Sequence, residues 1–541
     1  MFCAAFQGMG ARTWHHHAAA LLLLTGLLLA AYHPVFDAYF MADDPYLLQA
    51  SIAHGPWRHF VDPSLRLPET PLVLMPWLHV SFFADYRLFG LEPAGYYAHQ
   101  LLALWLTMAL LYAALSHLAV IARTVALGWL LLAAPAAQAA QFLMTRHYLE
   151  GMCLALLAIL CQRRAQRRNS LAWAVLAACC YGAAASAKEI FVPLPVLFLS
   201  MRPRRLLVPH VLCAALYVGW RAAMLGAGHL LTGYGDTEPL TMDHLLAVPQ
   251  RLVALMGWQS TWLLMLELML VVTALMALVK YHKPVVVILA AAGTLLPLLA
   301  VVPIMQPRFL LVPAVWIAVG IALATHRVAL HAGRLWVAAG GAGILCCQMV
   351  AMHASPAWSN RDYIVQYRLE GRYVMEDPTA QHAALLSPIG HAYYHAGLLW
   401  MRRHLLHGGP GPVLCKEPCL CAALPPRRAL SYRAGALHDV TWPSPCPRSS
   451  HELQVQMTYR DRQLSWRFGP YARGRYLVLL NHPSQGLFGF EHWLPPQGHY
   501  VFPISQALTM VVRYPLADGR WAATPLLRLE PAGAQASLDY P

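Results

Sequence analysis

Long apolar runs dominate the first two thirds of the chain, separated by short basic or proline-bearing turns. Crossing the hydrocarbon core as a helix takes roughly 20 mostly apolar residues. Runs of that kind lie at 18–36, 98–119, 124–142, 145–162, 170–186, 206–225, 259–280, 284–303, 309–325 and 335–352, and each predicts a transmembrane helix. A shorter proline-bearing run at 190–201 adds an eleventh. The segment 70–89 is apolar too, but Pro71, Pro76, His79 and Asp85 interrupt it. Beyond residue 410 the pattern changes. LQVQMTY, QLSWRF, RYLVLL and LTMVVRY are short runs, several of them alternating, with Pro, Gly and Asn between them. That pattern predicts a β-sandwich-like domain.

Basic residues in short loops set the orientation. Arg163, Arg164, Arg167 and Arg168 mark the strongest cytoplasmic loop, with Arg202, Arg204 and Arg205, then Lys280 and Lys283, then Arg327 and Arg334 marking others. Counting outward from these places the turns at 142–147, 186–190 and 304–308 outside, together with residues 37–69 and everything after 353. Both ends of 70–89 then lie on one face, so it reads as a re-entrant or juxtamembrane element. The segment 12–33 has no A-x-A-like cleavage site after it and reads as a retained first helix. Three domains are expected: a transmembrane domain at 1–352, a juxtamembrane helical linker at 353–410 and an extracytoplasmic all-β domain at 411–541.

Composition narrows the functional classes. Of 541 residues, 58% are hydrophobic and 12% charged, against about 25% charged in an ordinary soluble domain. The formal charge of +14 raises the question of nucleic acid. The positive residues lie in inner loops and an Arg-rich tail, with no contiguous basic face, so no nucleic-acid partner is expected. Only four of the 39 basic residues are lysine: Lys188, Lys280, Lys283 and Lys416.

Ionisable residues gather at the outer ends of the predicted helices. The first outer loop carries Asp43 and Asp44, the 142–147 turn Arg146 and His147, the 186–190 turn Lys188 and Glu189, and the 304–308 turn Arg308. Each has an ordinary explanation, since acids cap helices and arginines snorkel to headgroups. Lys188 and Glu189 sit in the apolar run AASAKEIFVPLP, where charge usually faces a cavity. As helix neighbours they would not face each other as an ion pair. Glu267, inside LLMLELML, is a further buried-charge candidate. An acid at a membrane surface can deprotonate an acceptor hydroxyl or hold a divalent metal ion, and nearby cations can neutralise a departing phosphate. The short inner loops leave no room for a soluble nucleotide-sugar domain.

At these residues the chain resembles the GT-C superfamily of membrane glycosyltransferases, within it the protein O-mannosyltransferase and transmembrane tetratricopeptide-repeat O-mannosyltransferase branch and its bacterial relatives. The likeness runs through FMADDPYLLQ with Asp43 and Asp44, PLVLMPWLHVSFFADYRLFGLEPAGYYAHQLL with His99, Pro135 followed by FLMTR with Arg146, SAKEIFVPLP, RFLLVP with Arg308, and AWSNRDY. It departs at APAAQAAQ, where Gln138 and Gln141 replace the family's His and Glu, and it lacks tetratricopeptide repeats. The resemblance implies inverting sugar transfer from a polyprenyl-phosphate donor to a protein or glycolipid acceptor, at the outer face of the bacterial cytoplasmic (inner) membrane. Asp43 would be base or essential acid with Asp44 its partner. Arg146, Lys188 and Arg308 would hold the donor phosphate, supported by Glu189 and His147.

In the tail, Cys415, Cys419, Cys421 and Cys446 are candidate disulfide cysteines, and four cysteines allow three pairings. A zinc site is the poorer fit, because C-x3-C-x-C is not zinc-ribbon spacing. Trp442, Trp466, Tyr471 and Trp493 are available to stack on sugars or to fill a core. The rival readings are a lipid-linked glycan transporter and an O-antigen polymerase or ligase, the latter needing a large late loop for which only 226–258 qualifies.

Overall fold

The computed structural model describes residues 11–65, 74–199, 203–227, 261–281, 284–299, 305–331, 334–354, 361–445, 453–460, 463–501, 507–530 and 535–540, with isolated positions between 242 and 251 and at 302. The chain divides into two compact units: residues 1–37 with 51–361, and residues 38–50 with 362–541. Most of the 226–258 loop, the side chain of Glu267, Cys446 and the AWSN part of AWSNRDY lie outside the described residues.

The first unit is helical. Six helices among the described residues are long and apolar enough to cross a membrane: Trp14–Asp37, Pro93–Ala114, Leu143–Arg168, Arg204–Leu225, Pro307–His331 and Trp336–His353. A seventh span is formed if Val120–Leu132 and Ala134–Gln141, bent by 57°, are one helix. Pro135 accounts for that bend, since it removes a backbone donor and crowds the preceding turn. Among the described residues the predicted runs fall on helical segments, not all of them of spanning length. Leu171–Ala187 and Pro284–Leu299 are short, and the run near 190–201 breaks at Pro193 and Pro195 into two 3-10 turns. The interrupted segment 70–89 yields a 14-residue helix, Pro76–Phe89, too short to span.

Three helices of this unit bring its buried ionisable side chains together: α1 (Pro76–Phe89), α2 (Pro93–Ala114) and α3 (Arg146–Arg168). Gly90 ends α1 at φ +61, a conformation glycine adopts without strain, and Pro93 opens α2 at a position that needs no amide hydrogen. Asn169, left-handed at φ +49, closes α3 behind Arg167 and Arg168, whose charges suit a helix C-terminus.

The second unit contains helices α4 (Arg361–Glu376) and α5 (Ala392–His404) and two sheets. The strands of the larger sheet are β1 (Ala383–Leu386), β2 (Val413–Cys415), β3 (Arg428–Arg433), β4 (Ala436–Val440), β7 (Tyr476–His482), β8 (Leu487–Leu494), β10 (Leu508–Pro515), β11 (Trp521–Ala523) and β12 (Leu527–Leu529). They run in the order β11-β10-β7-β8-β2-β1-β3-β4, with β12 also on β10. The smaller sheet holds β5 (Gln454–Arg460), β6 (Gln463–Gly469), β9 (Gln497–Val501) and β13 (Gln535–Tyr540), in the order β13-β5-β6-β9. Strands β5 and β6 alternate exposed and buried positions, as one-sided antiparallel strands do. Their inward Met457, Trp466 and Phe468 pack with Tyr476, Val478 and Met510 of the other sheet, which makes a sandwich. Trp466 thus belongs to the core, while Tyr471 stacks on Tyr514 with centroids 4.2 Å apart.

Residues 353–410, expected as a linker, contribute more than helices. Strand β1, between α4 and α5, pairs in parallel with β2 and β3. All four of its residues are buried, so it shows no alternation to read. Cys415 and Cys421 form a disulfide, and Cys419 is also disulfide-bonded. The chain is a multi-pass helical membrane protein with a C-terminal β-rich domain.

Candidate functional site

Asp43 and Asp44 sit in the segment 38–50, which packs within the second unit. Ala42 takes φ +49, and the Asp44 carboxylate accepts from the Met41 amide at 2.8 Å. The Asp43 carbonyl accepts the first helical bond, from Leu47, at 2.9 Å, so Asp43 stands at the N-cap of the helix Asp44–His54. The two acids therefore differ. Asp44 is fully buried and fastens the turn, whereas the Asp43 side chain is 41% exposed.

Asp43 Oδ1 lies 2.8 Å from Nε2 of His391. His391 caps α5, and its Nδ1 accepts from the Tyr394 amide at 3.3 Å. That bond fixes the neutral tautomer: Nδ1 holds the lone pair and Nε2–H points at the Asp43 carboxylate.

The turn delivering His391 is held from several sides. Ile389 N–H donates to Glu370 at 2.7 Å, Lys416 donates to the Pro388 carbonyl at 3.1 Å, and Ser387 N–H donates to the Cys415 carbonyl at 2.7 Å. His395 bonds the Ile389 carbonyl at 2.8 Å. Burial pushes His395 down to about 3, so its ring is neutral and Nε2–H is the donor. Burial pushes Glu370 up to about 7, against the pull of its bonds from Gln366 and Ile389. The segment 38–50 seats closely on α4 and α5: a Cβ on Gly397 would lie 2.5 Å from the Pro45 carbonyl carbon, and one on Gly371 2.4 Å from the Tyr39 ring.

The first unit carries two further groups. In one, Arg146 is completely buried and paired with Asp85, with further bonds to Ser81 Oγ (3.2 Å) and the Tyr96 carbonyl (3.3 Å). Its guanidinium lies 4.6 Å from the Phe82 ring centre. Asp85 also meets His99 Nδ1 at 2.7 Å, and Glu150 accepts from Trp77 Nε1 (2.8 Å) and Ser81 Oγ (2.5 Å). Arg146, a residue expected on a phosphate, pairs with a carboxylate inside the protein.

In the other group, Lys188 is buried with its Nζ 3.3 Å from Glu189 Oε1. The expectation that these neighbours would not pair assumed a helix. Lys188 is extended (φ −157°, ψ 138°) just past the end of Leu171–Ala187, which turns the two side chains together. His147 is buried within electrostatic reach of Lys188, Arg308 and Arg146. Arg308 is half-buried, and its amide donates to Gln138 Oε1 at 2.8 Å. Gln138, where the resembled family has another residue type, thus holds the Arg308 turn. Among the described residues no group of three or more His, Cys, Asp or Glu side chains could hold a metal ion.

Four participants escaped the sequence reading as site residues: Asp85, Glu150, His391 and Glu370; His99 entered it only through the family likeness. A signal existed for Asp85, because Trp77, Ser81 and Asp85 recur every four residues on one face of an apolar helix. No local signal marks His391, which is 348 positions from its partner.

No family model matches the chain, and no curated protein matches it. Two crystal structures of ArnT from Cupriavidus metallidurans are similar to it. The one bound to undecaprenyl phosphate is 14% identical, covering 78% of this chain and 93% of that one at a TM-score of 0.44. The apo structure is 14% identical, covering 76% of this chain and 93% of that one at a TM-score of 0.45.

Proposed function

We propose that the protein is an integral-membrane glycosyltransferase that moves a sugar from a polyprenyl-phosphate donor to an acceptor hydroxyl at the outer face of the cytoplasmic membrane. The observation that carries this reading is the half-exposed Asp43 carboxylate, oriented by a histidine of fixed tautomer. Asp43 takes the proton of the acceptor hydroxyl as its oxygen attacks the anomeric carbon. The bond to the phosphate oxygen breaks on the opposite side, giving inversion and a polyprenyl phosphate. Within the first unit, Lys188, 3.3 Å from Glu189, and Arg308 are the cations whose chemistry suits a departing phosphate. Arg146 is left out of the donor set because Asp85 already occupies it. Asp44 serves by shaping the turn that presents Asp43.

An apolar cavity of about 80 Å³ borders Ile190, Phe191 and Pro193, directly after the Lys188–Glu189 pair, and suits part of a prenyl chain. The test is sugar transfer by the purified protein in lipid vesicles loaded with a radiolabelled polyprenyl-phosphate sugar. Asp43→Asn should lower the rate by about 10²–10⁴-fold, the usual worth of a general base. Undiminished transfer by that variant would refute the assignment.

A further inference from the structure

Two features singled out in the sequence have no part in the transfer proposed above. One is Lys416, the single lysine of the second unit; the other is the cysteine pair Cys415 and Cys421 beside it. Both lie against the turn that presents His391. Lys416 directly follows β2, and its backbone amide donates to the Phe488 carbonyl of β8 at 2.9 Å. The disulfide joins the fully buried Cys415 to Cys421, six positions on, and closes the loop that starts at Lys416. From this anchored backbone the half-buried side chain reaches the turn after β1, where Nζ donates to the Pro388 carbonyl at 3.1 Å.

The Pro388 carbonyl and the Ile389 amide are the two ends of one peptide group. The carbonyl faces the Lys416 ammonium, and the amide donates to Oε2 of the fully buried Glu370 at 2.7 Å. A cation at the oxygen end and a carboxyl at the hydrogen end match the peptide dipole and oppose its rotation. His395 adds a bond at the next carbonyl, that of Ile389, at 2.8 Å. Beyond it one residue, Gly390 at φ +92, leads into His391. Glycine is the freest joint a backbone offers, so the direction of His391 depends on what holds the turn before it.

We propose that Lys416 is a positioning residue: together with Glu370 it clamps the Pro388–Ile389 peptide and so aims His391 at Asp43, 2.8 Å away. Its effect on rate rests on the reading of Asp43 as the base, whereas the aim of His391 does not. Lys416 acts through the turn alone.

Two measurements on the full-length protein in lipid vesicles test this. The first is transfer kinetics from a polyprenyl-phosphate sugar. The second is carbethoxylation of the 41% exposed His391 by diethyl pyrocarbonate, read by mass spectrometry. Lys416→Met keeps the stem and loses the donor, and Lys416→Gln is a shorter, polar second variant. Each should lower kcat about tenfold or more with KM for the donor unchanged, since a misplacement of about 1 Å costs about 10²-fold. Each should also speed the labelling of His391 toward its rate in Asp43→Ala, which removes its partner. The exposed His499 of β9 should meanwhile react at its wild-type rate. Lys416→Arg, still a cationic donor, should recover most of both effects. Wild-type labelling of His391 in the neutral variants, an unchanged kcat where Asp43→Ala is impaired, or no recovery by Lys416→Arg would each overturn the clamp. Full transfer by Asp43→Ala, with His391 released in Lys416→Met, would instead remove the base assignment and leave the clamp standing.

Discussion

Replacing Asp85 with asparagine should destabilise the membrane unit by about 3 kcal/mol, a figure set by the burial of its pair with Arg146. Removing one partner of a buried ion pair leaves the other charge uncompensated, at a typical cost of about 3–5 kcal/mol. Arg146 is 0% exposed and Asp85 1%, so water cannot take over the bond. Two features pull the cost toward the lower bound. Asparagine keeps an acceptor oxygen for the guanidinium, and Arg146 retains Ser81, the Tyr96 carbonyl and the Phe82 ring. The double replacement Asp85→Leu with Arg146→Met removes both charges and keeps apolar volume, so it should return to within about 1 kcal/mol of wild type. Unfolding of the purified protein by SDS in mixed micelles, followed by circular dichroism, gives both differences. A loss below about 1 kcal/mol for the single change, or a double replacement no more stable than the single, would show that this pair does not hold α1 to α3.

Four further outcomes concern the second unit. Glu370, held at about 7 by burial against an ordinary 4.5, keeps its proton in the folded state after the unfolded chain has lost it. Its contribution is fully present below pH 4.5 and fades by about 3 kcal/mol as pH climbs to 7; Glu370→Gln should flatten that limb in thermal unfolding scans. His395, pushed down to about 3 from 6.5, works oppositely: its contribution is whole above pH 6.5 and is lost as pH falls toward 3, so His395→Gln should mainly improve acid tolerance. Gly397→Ala puts a methyl 2.5 Å from the Pro45 backbone, which cannot yield as a side chain can. It should lower transfer at least as much as stability, about 1–3 kcal/mol, because the displaced segment carries Asp43; unaltered transfer would uncouple the segment from the chemistry. His391→Gln, with an amide donor where Nε2–H was, should retain more transfer than His391→Ala in the same vesicle assay.

The elements legible in the sequence were those whose signal is local. Runs such as LLLLTGLLLAAY gave away their helices, and β5 and β6 showed their alternation residue by residue. SAKEIFVPLP marked a buried charge, although its extended Lys188 needed coordinates to be seen. Arg146 was visible as a cation at an outer turn, but its partner Asp85 read only as an interruption of a would-be span. The contacts that were not legible join distant positions: AALL carries no alternation when both faces are covered, and nothing near HAYYHAG announces a bond to residue 43.

The bond between Asp43 and His391 joins residues that are made at different times. Asp43 leaves the ribosome 348 residues before His391. At about 5–20 residues per second, the acidic turn waits roughly 20–70 s for the helices that seat it. During that interval its side chain has neither the histidine nor the glycine faces of α4 and α5 to lock its direction. The direction of the Asp43 side chain is thus set by the last third of the polypeptide, and a chain halted at residue 361 would lack the histidine that meets it.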